Sequence, residues 1–166
     1  MSTRSSLQRI LLTAAAVTVT MSTAFPRTAH AQLRSARAVS LEGAQRALAA
    51  AAAEARKQDW AVSIAVVDPS GELIGFVRLD GAPYSSIDIS HAKARTAARF
   101  RRPTRGLDSA LTAGRLAILG LPGATPVEGG VPIVLNGEVV GAVGVSGATS
   151  AQDAQVARAG VVAVQP

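Results

Sequence analysis

The chain has no cysteine among its 166 residues, so neither disulfides nor a thiolate metal centre can hold it together. Histidine is nearly as scarce, with only His30 and His91 present. Aromatic residues make up 3% of the sequence, too few to offer nucleic acid a stacking surface. The core must therefore be built from Val, Ile, Leu and Ala. Acids are outnumbered, 11 against 17 Lys and Arg, giving a formal net charge of +6.

What is present begins with a leader-like segment. Arg4 and Arg9 form a basic start without acids, followed by an apolar run over 10–20 that is too short to span a bilayer. Pro26 ends the run, and Ala29-His30-Ala31 supplies a small-x-small cleavage pattern. Residues 1–31 are thus expected to be a secretory signal peptide, with export to the periplasm or beyond and no stable membrane insertion after cleavage. Loss of three arginines lowers the formal charge from +6 to +3. Roughly 135 residues remain, enough for one domain burying about two-thirds of its unfolded surface. His91 is then the sole histidine, which excludes a multi-histidine zinc site or bis-histidine haem within one chain.

After a flexible tail at 32–39, the pattern predicts helix, hairpin, two helices, hairpin and helix. Ser40 fits an N-cap, and Leu41, Ala44, Leu48, Ala51, Ala52 and Ala55 recur at helical spacing to about Gln58. Apolar runs at 62–67 and 73–79 flank Asp68-Pro69-Ser70-Gly71, a type I turn signature. A helix is expected from Ser86 or Asp88 to Phe100, stopped by Arg101-Arg102-Pro103. A shorter one over 104–119 has a possible break at Gly114. A Gly/Pro loop over 120–130, with room for a short strand, leads to a second hairpin closed by Asn136-Gly137. Ser150 with Asp153 at N3 reads as the cap of the last helix. The expected fold is α+β: a mostly antiparallel sheet of four or five strands flanked by helices, in the order α-β-β-α-α-β-β-α.

Several residues carry candidate chemistry. Gly141 and Gly144 fall within a predicted strand, where glycine marks close packing or a bulge; a phosphate loop needs its glycines between strand and helix. Gly129-Gly130 lies in a loop, where backbone amides can face a ligand. His91 can ligate iron, with Asp88 orienting its other nitrogen, or can simply pair with Asp88 on the surface. Tyr84 can ligate ferric haem as a phenolate or can anchor its loop. Arg95, Arg99 and Arg102 share a helical face if the helix extends that far. Three guanidiniums there can hold carboxylates bidentately, or pair with acids across a subunit interface. Asp80 and Glu128 sit beside glycines in loops and can face a shared cleft for proton transfer. None of these patterns amounts to a catalytic site.

Six short motifs carry a resemblance. They are DxxGxL at 68–73, DGA at 80–82, KAxTA at 93–97, GGVPI at 129–133, GVSGA at 144–148 and QDxxVAxAG at 152–160. Together they resemble the GlcG/HbpS family of haem- and tetrapyrrole-binding proteins, over about residues 40–164. The resemblance implies a homo-oligomer whose 86–100 helix and Pro103-Thr104 line a tetrapyrrole site, with Thr96 and Thr104 among the contacts. Haem, or another anionic small molecule, is the expected ligand. Arg95, Arg99 and Arg102 would meet its propionates, and His91, Thr96 or Tyr84 would lie near the metal. The alternative is a protein or enzyme that binds a small hydroxy- or keto-acid through the same arginines. A third reading is a structural or signalling partner whose arginines serve an interface. Nucleic acid is not expected as a partner.

Overall fold

The computed structural model describes residues 37–165. The expected signal peptide and most of the tail lie outside the described residues. The order is α1 (Leu41–Lys57), β1 (Ser63–Val67), β2 (Leu73–Arg78), α2 (Ser86–Phe100), α3 (Arg105–Thr112), a 3-10 helix (Leu116–Gly120), β3 (Gly130–Leu135), β4 (Glu138–Ser146) and α4 (Ser150–Val162). This is the α+β order read from the sequence. The possible short strand at 120–130 does not form: a 3-10 turn and a loop occupy that stretch, and the sheet has four strands.

The strands run β2-β1-β4-β3, each antiparallel to its neighbours. Local chemistry explains the elements. The Ser40 hydroxyl accepts the Gly43 amide at 3.1 Å and opens α1. The Asp68 carboxylate accepts the Ser70 and Glu72 amides at 2.8 and 2.9 Å and closes the first hairpin turn. Thr149, not Ser150, caps α4. Its hydroxyl takes the Gln152 amide while Gln152 reaches back to the Thr149 amide, a complete capping box one residue earlier than Ser150 and Asp153 suggest. Asp153 is drawn instead into the interior.

The two faces of the sheet are packed differently. One carries Ile64, Val66, Val143 and Val145 against the alanine stripe of α1 and against Val156, Ala157 and Val161 of α4. The other carries Ala65, Val67 and Ala142 against Ala94, Ala97 and Ala98 of α2. Period-two alternation of branched and small residues along β1 and β4 thus sorts the helices by how closely they approach. Gly144 is the extreme case: a β-carbon there would run into the Ser90 carbonyl and the Ala94 amide of α2. Among the described residues the buried apolar side chains all fall between Ala44 and Val161, within one compact unit over 35–166.

Candidate functional site

Among the described residues one buried ion pair joins the two helical layers. Lys93 of α2 places its ammonium 2.8 Å from Asp153 of α4, with side chains 2% and 3% exposed. Asp153 also accepts the Ala148 amide at 3.0 Å. Burial raises the Asp153 carboxyl above its ordinary value, and the Lys93 ammonium and Ala148 amide oppose that rise. Gly129 is what permits the passage, since a β-carbon there would meet the Lys93 Nζ at 2.8 Å and its φ of +133° suits glycine.

Thr104 secures the neighbouring strand end. It is fully buried, its hydroxyl accepts the Gly130 amide at 2.9 Å, and its own amide donates to the Gly130 carbonyl at 3.0 Å. The Gly129 carbonyl accepts the Val145 amide. The Gly130 amide and both glycine carbonyls are therefore engaged within the fold.

The exposed side of α2 gathers most of the remaining candidates. His91 Nε2 lies 3.3 Å from the Gly71 carbonyl. A carbonyl only accepts, so Nε2 carries the proton and Nδ1 is left with a lone pair in the neutral ring. Gly71, not Asp88, thus orients the imidazole. His91, Asp88, Ala92 and Arg95 line a cleft of about 330 Å³ closed on its other side by Gly123, Ala124 and Thr125. Thr96 lies beneath that loop. It is fully buried, its hydroxyl donates to the Ala92 carbonyl at 2.8 Å and accepts the Thr125 amide at 2.9 Å, and so fixes the cleft wall.

Arg95 and Arg99 converge on a residue that sequence reading missed, Glu72. Their Nη2 atoms donate to its two carboxylate oxygens at 3.4 and 3.1 Å. Both also reach turn carbonyls: Arg95 Nε to Gly71 at 3.3 Å and Arg99 Nε to Ser70 at 2.5 Å. The partners are separated by 23 and 27 residues, so no local spacing signalled the pairing. Glu72 is 60% exposed, and each pair is worth about 0–1 kcal/mol. An incoming carboxylate can displace it at little cost.

Other expectations separate in space. The helix stops at Phe100, with Arg101 in the left-handed region at φ 54°, so Arg102 leaves the face of Arg95 and Arg99. It lines instead a small apolar cleft with Leu107, Arg115, Ile118 and Leu121. Tyr84 is 82% exposed beneath the Arg78 guanidinium, 4.9 Å from ring centroid to carbon, and does not line the His91 cleft. Asp80 and Glu128 do not share a cleft: Asp80 lies with Trp60 and Arg78, Glu128 with Arg105 and Asp108. Among the described residues no cluster of three or more His, Cys, Asp or Glu is placed to hold a metal ion.

Known proteins share both the sequence and this architecture. GlcG of Escherichia coli strain K12 is 46% identical over 99 residues, spanning 60% of this chain and 74% of that protein. A crystallised double mutant of Streptomyces reticuli HbpS superposes with a TM-score of 0.74 at 35% identity, covering 80% of this chain and 90% of that one. Klebsiella pneumoniae protein ORFY gives the same TM-score at 32% identity, covering 80% and 94%. The family profile described as "Haem degrading protein HbpS-like" matches residues 39–162. Spanning almost the whole of the described fold, that match places the chain in the HbpS-like family.

Proposed function

We propose that this protein is exported, assembles as a homo-oligomer and binds haem or a related tetrapyrrole for sequestration, delivery or redox sensing. The observation that carries the reading is His91. It is a lone imidazole in a cleft beside Arg95, with one nitrogen committed to a backbone carbonyl and the other free to donate to a metal. A backbone carbonyl accepting from the far nitrogen is the arrangement that orients histidine ligands in metal sites. The description of the family supports the same ligand.

The residues fit haem as a surface-held group with a single histidine. His91 Nδ1 is the donor, while Arg95 and Arg99, released from Glu72, are the partners for propionates. Thr96 supports the site from below through its bond to the Thr125 amide, while Thr104 holds the Gly130 strand end away from the cleft. The bound haem would supply redox chemistry and colour. The protein's part is to hold and orient it: Gly71 fixes the imidazole, Thr96 fixes the wall and Glu72 competes with ligand carboxylates. A cleft of about 330 Å³ leaves much of a macrocycle uncovered, and a neighbouring copy is the natural cover.

That same modest volume favours a second reading, a small hydroxy- or keto-acid held by Arg95 beside His91. Protein from haem-fed cells separates the two. A Soret band that is lost in His91→Ala supports the first. Colourless wild-type protein that binds a small carboxylate through Arg95 replaces it with the second.

A further inference from the structure

The stretch from late α3 to the loop before β3 carries little charge. From Ser109 to Val127 there is no acidic residue, and the only charge is Arg115. Within it the 3-10 helix Leu116–Gly120 carries Leu116 and Leu119 three positions apart. Three residues per turn put them one above the other on the same side. They are 67% and 65% exposed, while Ile118 between them points inward at 4%. Leu121, in the same lining as Ile118, adds to the apolar surface at 38% exposed.

Basic groups rim this ridge. Arg102 and Arg115 stand at the cleft floored by Leu107 and Ile118, and Leu121 is part of the same lining. Among the described residues neither arginine has a carboxylate partner, whereas Arg95, Arg99 and Arg105 each have one. Arg101 is exposed just before them in the chain. Arg102 and Arg115 therefore stand uncompensated beside exposed leucines, in a stretch that supplies no acid between Ser109 and Val127.

We infer that this ridge is a peripheral docking surface for an anionic phospholipid bilayer, with Leu116 and Leu119 entering the headgroup region and Arg102 and Arg115 meeting lipid phosphates. A ridge of apolar side chains flanked by cations is the chemistry an interfacial element needs. A two-fold contact between copies through this ridge would bring the unpaired arginines of one copy toward those of the other. An anionic surface removes that repulsion and uses the same leucines. The contact lies on the membrane and does not span it: no described helix is long and apolar enough to cross a bilayer.

The test is vesicle co-sedimentation of residues 32–166, which contain the whole compact unit over 35–166 and omit the apolar run at 10–20. Mixed phosphatidylglycerol/phosphatidylcholine vesicles are compared with pure phosphatidylcholine at low and high salt. Binding is expected to the anionic vesicles only and to fall as salt rises. Arg102→Gln with Arg115→Gln should lower the partition coefficient on the order of twentyfold, about fivefold for each arginine. Leu116→Ser with Leu119→Ser should lower it about tenfold or more while circular dichroism stays unchanged. Binding that ignores both double substitutions overturns the assignment, as does no binding to either vesicle. Light scattering provides one further outcome: if the leucine variant breaks up an oligomer and vesicles never bind, the ridge is a contact between copies and the membrane assignment is wrong.

Discussion

At the scale of single residues, Lys93 and Asp153 illustrate how a buried charge is tolerated. The pair is excluded from water, and each remaining bond is to a backbone group or to the other partner. Removing one partner strands the other, at a cost of about 3–5 kcal/mol, while replacing both with apolar residues of similar volume is close to neutral. Lys93→Met should therefore lose stability of that size in urea unfolding and push the Asp153 carboxyl higher still. Lys93→Met with Asp153→Leu should recover most of the loss. If the single and double variants unfold together, the pair contributes no coupling. Asp68 is a milder case with the opposite sign. Slight desolvation would raise its carboxyl, but bonds from the Ser70 hydroxyl and the Glu72 and Ser70 amides outweigh it and hold the group below 3.8. Its contribution to folding is present above that pH and is lost as pH falls through the lowered value. Asp68→Asn should flatten the acid limb of stability against pH, measured by chemical denaturation between about pH 2 and 5.

At the scale of elements, the contact of α2 with β4 governs how the site is built. Gly144 lets the helix backbone rest on the strand, and Gly129 and Gly130 let Lys93 and Thr104 close over the strand end. Gly144→Ala should cost about 3 kcal/mol, the upper end for overpacking, because both obstacles are backbone atoms that cannot rotate aside. Thermal unfolding measures this, and a variant as stable as the parent would show that α2 can shift without loss. Much of this level was readable in advance. The alanine spacing of α1, the turn at 68–71, Asn136-Gly137 and the strand position of Gly141 and Gly144 all have local causes, and the structure has the elements they imply. The cap of α4 was displaced by one residue because Asp153 is needed in the interior, a demand that arises only after folding. The helix expected over 104–119 divides at Gly114, whose φ is +89°, and finishes as a 3-10 turn. Glu72 was invisible for a different reason: its partners arrive through topology, when the first hairpin folds under α2.

At the scale of the whole molecule, two helical layers clamp a four-stranded sheet. The outer side of α2 carries His91, Arg95 and Arg99 along one face, and the chain beyond α3 carries the leucine ridge. The family assignment accounts for the shared core. The chemistry proposed rests on His91 and on the Glu72 lock over two arginines. The lock makes a distinctive forecast. Glu72→Gln should tighten binding of a carboxylate-bearing ligand by up to about fivefold, since an exposed pair worth about 0–1 kcal/mol no longer competes. His91→Ala should weaken it by about tenfold or more if the imidazole reaches the metal. The most direct measurement is a haemin titration of residues 32–166 followed by Soret absorbance, with these two variants run beside the parent. The account predicts a saturable Soret shift that is weaker in His91→Ala and tighter in Glu72→Gln. A flat titration of the parent, or a shift that neither substitution alters, would contradict haem binding at this cleft.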